Sequence, residues 1–191
     1  WYFDVPTPKY DLNKAKALLK ESGYNGETLE LMGNRGEVAE VEGAAIQAQL
    51  KKIGIKVELK ILERASALEA RRQGKFMFKL AGGSDFPDPL PAYEEYACEP
   101  DPKNRRLNES GYCDKEYDAL IKKAEVEVDL EKRKALFKQV VAKLLDDSPN
   151  ISLGFTPRFF TFRDHVKGFT TNSSGDFQPF SGGLSRAWVD K

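Results

Sequence analysis

The fold is decided by residues 28–61, "TLELMGNRGEVAEVEGAAIQAQLKKIGIKVELKI", where two strand patterns flank a helix pattern. Residues 28–32 are typical of a strand. In residues 37–53 the apolar side chains recur every three or four positions, which predicts an amphipathic helix. Apolar and polar residues alternate over 55–61, which predicts a second strand. A strand, a helix and a strand within about 35 residues form a βαβ unit. We therefore predict an α/β fold with a parallel sheet.

Capping residues and periodicity predict the rest of the elements. Asp11 is a suitable N-cap for a helix that Gly23 ends. Further predicted elements are a helix over 65–73, a third strand over 76–80, charged amphipathic helices over 114–127 and 130–146, and strands over 151–155 and 159–163.

Composition excludes several classes of function. The 191 residues carry 30 basic and 30 acidic side chains, so the formal net charge of zero gives no electrostatic case for a nucleic-acid partner. No apolar run approaches the 18 residues of a membrane span. Two cysteines and one histidine cannot form a closed zinc site, and we expect neither a metal nor a cofactor. His165 follows Asp164, but there is no nucleophile motif, so we interpret this histidine as structural or solvated.

The loop "LAGGSDFPDPLPAYEEYACEP" (80–100) follows the third predicted strand and is the candidate binding site. Ligands of parallel α/β sheets bind beyond the carboxyl ends of the strands. Gly83 would let the backbone approach a ligand, and Pro87 and Pro89, which follow Asp85 and Phe86, restrict the backbone of the loop. A carboxylate held in this way suits a cationic group such as an α-ammonium.

Three other interpretations of this region stay open. Asp85 is equally typical of a turn cap, and Phe86 of a side chain that fills the core. Asp85 and Asp88 together are compatible with the acid and base of a carboxylate-dependent hydrolase. Cys98 and Cys113 flank a polar loop, and their spacing allows either a disulfide or two unrelated thiols.

Five motifs, in order, resemble the family 5 extracellular solute-binding proteins, which deliver peptides, nickel complexes and some sugars to ABC importers. They are "YDLNKAKALLKESGY" (10–24), "IQAQLKKIGIKVEL" (46–59), "SDFPDP" (84–89), "GYCDKEYDALIKKA" (111–124) and "HVKGF" (165–169). The resemblance implies one lobe, domain III, of a type II periplasmic binding protein. Residues 1–169 would be the ligand-binding lobe, and residues 170–191 a tail that packs on a missing N-terminal lobe.

The resemblance also implies a function without enzyme activity. The protein would be the solute-binding subunit of an ABC importer, periplasmic or otherwise extracytoplasmic, with an oligopeptide or dipeptide as ligand and the permease as partner. Any membrane association would come from the permease or from the missing N-terminal part, for instance as a lipoprotein anchor. In the family, the aspartate matching Asp85 receives the ligand ammonium, an arginine near Arg35 receives its carboxylate, and a disulfide matches Cys98 and Cys113.

One position departs from the family pattern. Peptide-binding members usually carry tryptophan three residues before the aspartate, where this chain has Gly82. The aromatic wall beside the ligand is therefore in question. A regulatory or docking domain that keeps the fold without the ligand is the alternative that this departure motivates.

Overall fold

The structure is a computed structural model, and it describes residues 3–36, 39–83, 86, 88–99, 108–154, 159–170 and 186–190. The first helix, α1 (Leu12–Glu21), begins at Asp11, whose carboxylate accepts hydrogen bonds of 2.9 Å from the backbone N–H groups of Asn13 and Lys14. These bonds satisfy two of the donors that a helix N-terminus leaves unpaired. The helix ends before Gly23, which has a positive φ of 79°.

A three-stranded parallel sheet forms the first half of the fold. Its strands are β1 (Thr28–Asn34), β2 (Lys56–Leu62) and β3 (Phe78–Lys79), and the strand order is β2-β1-β3. Thr28 lies opposite Lys56 and the register continues to Asn34 opposite Leu62. The crossover helix α2 (Ala39–Lys51) joins β1 to β2, so the predicted βαβ unit with parallel strands is confirmed.

Two glycines allow α2 to approach the sheet. A Cβ atom at Gly33 of β1 would lie 2.8 Å from the Cβ of Ala39, and one at Gly43 of α2 would lie 2.9 Å from a methyl group of Leu59. Both distances are shorter than a van der Waals contact between carbons. The close approach of helix and sheet therefore depends chiefly on the missing side chain at Gly33, because the Cβ of Ala39 is fixed to the backbone, whereas the Leu59 methyl group near Gly43 can turn aside.

The second half of the fold is helical. The short α3 (Arg64–Arg72) connects β2 to β3, and α4 (Leu90–Glu94) follows the candidate loop. The two longest helices of this half, α5 (Lys115–Val126) and α6 (Leu130–Asp147), share a core of buried side chains with partly buried residues of the preceding loop packed against it. The buried members are Tyr117, Ile121, Ala124, Phe137 and Val140.

The strands predicted over 151–155 and 159–163 are wrong for the described residues, because 151–154 and 159–163 have no strand structure. Instead β4 (Val166–Lys167) pairs in antiparallel fashion with β5 (Trp188–Val189). The tail expected at 170–191 is described only at residues 170 and 186–190, and the proposed boundary at residue 169 stays a prediction. Among the helices of the described ranges, none is long and apolar enough to cross a membrane.

Candidate functional site

The carboxyl ends of the three parallel strands lie at one edge of the sheet. Asn34, Leu62 and Lys79 are the last residues of β1, β2 and β3. Backbone hydrogen bonds extend the pairing beyond these ends, because Arg35 donates to the Leu62 carbonyl at 2.7 Å and Leu80 donates to the Met32 carbonyl at 2.8 Å. The chain that leaves β3 is therefore fixed against the central strand before it enters the candidate loop.

A cavity of about 290 Å³ opens at this edge. Its lining comes from the end of β1, from one face of α3 and from the backbone after β3. The lining residues are Asn34, Arg64, Leu68, Arg71, Ala81, Gly82 and Gly83. Gly82 and Gly83 have open space where a side chain would stand, since a Cβ atom built on either glycine meets no atom within 4 Å. A crevice at this place is the expected binding position in a parallel α/β sheet.

Only one of the four predicted ligand-binding residues lines the cavity among the residues that the structure describes. Gly83 lines the cavity, and Phe86 is 42% exposed rather than part of a core. Asp85 lies outside the described residues, so its role stays a prediction. Arg35 is not among the lining residues and forms an ion pair of 3.0 Å with Glu63, in which both side chains are mostly exposed.

Asp88 has a structural role. Its carboxylate accepts two hydrogen bonds from the guanidinium of Arg133, one of them 3.0 Å long at Oδ1, and a third of 2.9 Å from the backbone N–H of Leu90. The hydrogen bond from Arg133 holds the pKa of Asp88 below its ordinary value. An anion already committed to an internal arginine is a poor general acid or base, which weighs against the hydrolase interpretation.

Arg133 joins three parts of the helical half. Besides its pairing with Asp88, its Nε donates a hydrogen bond of 2.8 Å to the Ala124 carbonyl near the end of α5. Its guanidinium also lies 5.3 Å from the centre of the Phe137 ring, within the range of a cation–π interaction. The segment before α4 is thereby tied to both long helices.

A second ionic cluster lies beside the cavity. Glu109 accepts ion-pair contacts of 2.8 Å from Arg71 and 2.6 Å from Lys79. Burial alone would raise the pKa of Glu109, but the hydrogen bonds from these two cations outweigh it and lower the pKa. The carboxyl of Glu95 interacts electrostatically with the same three groups, and its pKa is raised chiefly by burial. The cluster connects the segment after residue 107 to α3 and β3.

A disulfide joins Cys98 and Cys113, with Cα atoms 4.5 Å apart. Next to it, both the nitrogen and the oxygen of the buried Asn108 side-chain amide form hydrogen bonds. Its Nδ2 donates to the carbonyls of Ala97 at 2.8 Å and Tyr112 at 2.6 Å, and its Oδ1 accepts from the backbone N–H of Gly111 at 2.9 Å. Covalent and hydrogen-bonded links thus hold both ends of the 98–113 loop together.

A metal centre and the single histidine are the two other kinds of site to consider. Within the described ranges, no group of three or more histidine, cysteine, aspartate or glutamate side chains could hold a metal ion. His165 is exposed, and its backbone carbonyl accepts a hydrogen bond of 2.8 Å from Asp190 next to β5. This contact involves only the backbone of His165, and the edge of the sheet remains the candidate site.

Sequence reasoning missed the basic side chains of the cavity. Arg64 and Arg71 lie on α3, in a stretch whose charges are typical of a solvated helix face. Their position seven residues apart, about two helical turns, was the available signal, since it places both on one face.

Comparison with known proteins identifies the relatives of this chain. Residues 1–104 match the model of the bacterial extracellular solute-binding proteins, family 5. The dipeptide-binding protein DppE of Bacillus subtilis is 30% identical over 190 residues, which cover 94% of this chain and 32% of that protein. The probable deoxycholate-binding periplasmic protein YgiS of Escherichia coli is 28% identical over 174 residues, 85% of this chain and 30% of that protein. The chain thus spans about a third of the length of these relatives.

A solved structure shows the same fold. The periplasmic binding protein DppA from Helicobacter pylori, in complex with the peptide STSA, superposes with a TM-score of 0.77 at 24% identity. The match covers all of this chain and 37% of that protein. The predicted α/β fold of the type II periplasmic-binding-protein architecture is therefore confirmed.

Proposed function

Because the chain belongs to the bacterial extracellular solute-binding proteins of family 5, we propose that it forms one lobe of a receptor that binds oligopeptides or dipeptides for an ABC importer. The observation that carries this proposal is the cavity at the carboxyl ends of the strands, lined by Gly83 two residues before Asp85. Support for a peptide ligand comes from relatives that are named as dipeptide-binding proteins.

The proposed binding contacts lie at this edge of the sheet. The carboxylate of Asp85 accepts hydrogen bonds from the α-ammonium of the ligand. The backbone at Gly83 approaches the ligand closely, and Phe86 offers an exposed ring for packing. Arg35 is the proposed partner of the ligand carboxylate only if its ion pair with Glu63 opens. Recognition through the ammonium and the backbone would tolerate varied side chains on the peptide.

The ligand cleft of the proposed receptor lies between this lobe and a second one. Clefts of this kind close by hinge motion and need both walls to retain a ligand. Residues 170–191 are proposed to pack on the second lobe. Exposed apolar side chains near the end of the chain support this assignment, among them Trp188 at 55% and Val189 at 65% exposure.

The cellular setting follows from the family. Its members act outside the cytoplasm, and the disulfide between Cys98 and Cys113 suits an oxidising compartment. We propose a periplasmic or membrane-anchored receptor whose macromolecular partner is the importer permease. Such a receptor binds and delivers its ligand without chemical change.

A carboxylate-bearing amphipathic molecule is the second candidate ligand. YgiS is named as a deoxycholate-binding protein, and it matches 85% of this chain. The observation that favours this candidate is the open space at Gly82, where no side chain walls the cavity.

The test is calorimetric titration of the complete receptor with tri-alanine, with N-acetylated tri-alanine and with deoxycholate. If Asp85 binds the ammonium, Asp85→Ala weakens tri-alanine binding about ten- to a hundredfold, the range for one hydrogen bond to a charged group. Asp164→Ala is the matched control, because Asp164 is an exposed aspartate outside the cavity lining.

Equal tri-alanine affinities in the wild type and Asp85→Ala would remove the role of Asp85. Binding of deoxycholate but of no peptide would replace the peptide proposal with the second candidate.

A further inference from the structure

The cavity at the strand ends is basic, and its charge is carried by α3. Arg64 and Arg71 both line it, and Leu68 lies between them on the same helix. Asn34 adds a polar side chain to the lining, and the glycines after β3 add only backbone. A site of this composition is complementary to a negatively charged group.

Counting the neighbouring charges leaves an excess of positive charge. Glu109 is one carboxylate between two cations, Arg71 and Lys79, so these three groups together keep one positive charge. Glu95 is another acid whose carboxyl interacts with this cluster, and counted as a carboxylate it balances that charge. Arg64 forms no ion pair within the described part of the chain, so its guanidinium leaves one positive charge in excess at the cavity wall.

The two arginines of the cavity differ in their availability. The Nε of Arg71 donates to Glu109 at 2.8 Å, so this side chain is held in place with part of its donor set committed. Arg64 is exposed at the first turn of α3, and no contact within the described residues engages its planar set of donors. A guanidinium binds a carboxylate through two parallel hydrogen bonds, which a single ammonium cannot reproduce.

The size of the cavity indicates what it holds. At about 290 Å³ it lies at the lower limit of pockets that enclose whole small-molecule ligands. One group of a longer ligand fits such a space, while the remainder extends into the cleft. Arg35, the arginine expected from the sequence, is not in the lining and pairs with Glu63 at the surface.

We propose that Arg64 binds a carboxylate of the ligand in this cavity and makes the receptor selective for ligands that carry one. This inference rests on the proposed function, since it concerns the same edge of the sheet. In a peptide the carboxylate has two sources, the C-terminus and an acidic side chain. Arg71, oriented by Glu109, holds the wall against which the carboxylate docks.

The experiment compares ligands that differ only in the carboxylate. The complete receptor is titrated calorimetrically with tri-alanine, tri-alanine amide, Ala-Glu-Ala and Ala-Gln-Ala. In the wild type, loss of the recognised carboxylate weakens binding about ten- to a hundredfold, through amidation if the C-terminus is bound or through Glu-to-Gln replacement if the side chain is bound. Deoxycholate and its neutral primary amide are titrated as a pair of ligands without an ammonium.

The variant Arg64→Gln removes the charge and is expected to abolish this preference, so that acid and amide bind alike. Arg72→Gln is the matched control, because Arg72 is an exposed arginine of the same helix that does not line the cavity. It should keep the preference of the wild type. Because both positions are exposed, neither change removes a buried contact.

The outcomes separate this inference from the proposed function. Peptide binding without any acid preference, or a preference that survives Arg64→Gln, overturns the role of Arg64 and leaves the peptide receptor intact. Binding of deoxycholate but of no peptide, with a preference for the acid that Arg64→Gln removes, overturns the peptide proposal and supports the role of Arg64. A receptor that binds none of these probes contradicts both.

Discussion

The ion pair between Asp88 and Arg133 makes a quantitative prediction, because it joins the segment before α4 to α6 across 45 positions of sequence. The perturbation is a double-mutant cycle of Asp88→Asn and Arg133→Met. Asparagine keeps an oxygen that can accept the Leu90 N–H, and methionine keeps much of the length of the arginine. The cycle therefore isolates the interaction between the two charges.

The magnitude follows from the exposure of the two partners. The Arg133 side chain is 17% exposed and the Asp88 side chain 44% exposed. Exposed ion pairs contribute about 0.2 to 1 kcal/mol, and hydrogen bonds to charged groups about 1.5 to 3 kcal/mol when protected from solvent. For a pair with two hydrogen bonds and one half-exposed partner, we expect a coupling of about 1 kcal/mol. Arg133→Met alone should cost about 2 to 4 kcal/mol, because the Ala124 carbonyl also loses its donor.

Urea denaturation of the four proteins of the cycle measures this coupling at neutral pH. Because the pKa of Asp88 is lowered in the folded state, its stabilising contribution is present above the ordinary aspartate pKa and is lost as the pH falls through the lowered value. The coupling should therefore vanish in acid. A coupling below about 0.3 kcal/mol at neutral pH would refute the reasoning, and so would a coupling that persists when Asp88 is protonated.

Three further predictions concern stability. Reduction of the Cys98–Cys113 disulfide, or its removal in a double serine variant, should lower the unfolding free energy by about 3 kcal/mol, measured by denaturation with and without reductant; an unchanged midpoint would contradict this. Glu109→Gln should lower the free energy of unfolding at neutral pH and have no effect in acid. The pKa of Glu109 is lowered in the folded state, so this carboxylate stabilises the fold above the ordinary glutamate pKa and stops doing so as the pH falls through the lowered value. A difference in stability between wild type and variant that does not change with pH would exclude the ionic cluster as its cause. Gly33→Ala should lower the free energy of unfolding by about 1 to 3 kcal/mol. Gly43→Ala should leave it nearly unchanged, because the gain in helix propensity offsets the clash with a Leu59 methyl group that can move. Equal changes in melting temperature for the two variants would contradict this description of the contact between α2 and the sheet.

The βαβ unit was predictable because its determinants are local. Alternation over 55–61 and the three-to-four spacing over 37–53 depend only on which face is buried, and the structure has β1, α2 and β2 at these positions. The helix cap at Asp11 was also predictable, since a cap involves only residues that are neighbours in sequence. The third strand is shorter than predicted, Phe78–Lys79 instead of 76–80.

The strands expected at 151–155 and 159–163 show where local pattern fails. β-Propensity measures how well a side chain fits a pleated and half-buried surface, so it needs a partner to act on. In this chain Ile151 is 76% and Phe159 86% exposed. Their apolar character is therefore consistent with burial against another part of a larger protein, which is the proposed role of the second lobe.

The contacts of the site could only partly be predicted from the sequence, because they join residues that lie far apart along the chain. Nothing in the spacing of Asp88 and Arg133 indicates that they pair. Arg64 has the charge of a solvated helix residue and becomes a candidate ligand contact only once α3 is placed beside the end of β3. Arg35 was predicted from the family resemblance, and a match of sequence positions cannot reveal that Glu63 is its partner.

The most direct test of the receptor assignment is native mass spectrometry of the complete protein, purified without added ligand. We predict bound species with the masses of short peptides in the wild type and their loss in Asp85→Ala. Complexes made only with non-peptide molecules, or peptide complexes that are equally abundant in Asp85→Ala, would contradict peptide capture through that carboxylate.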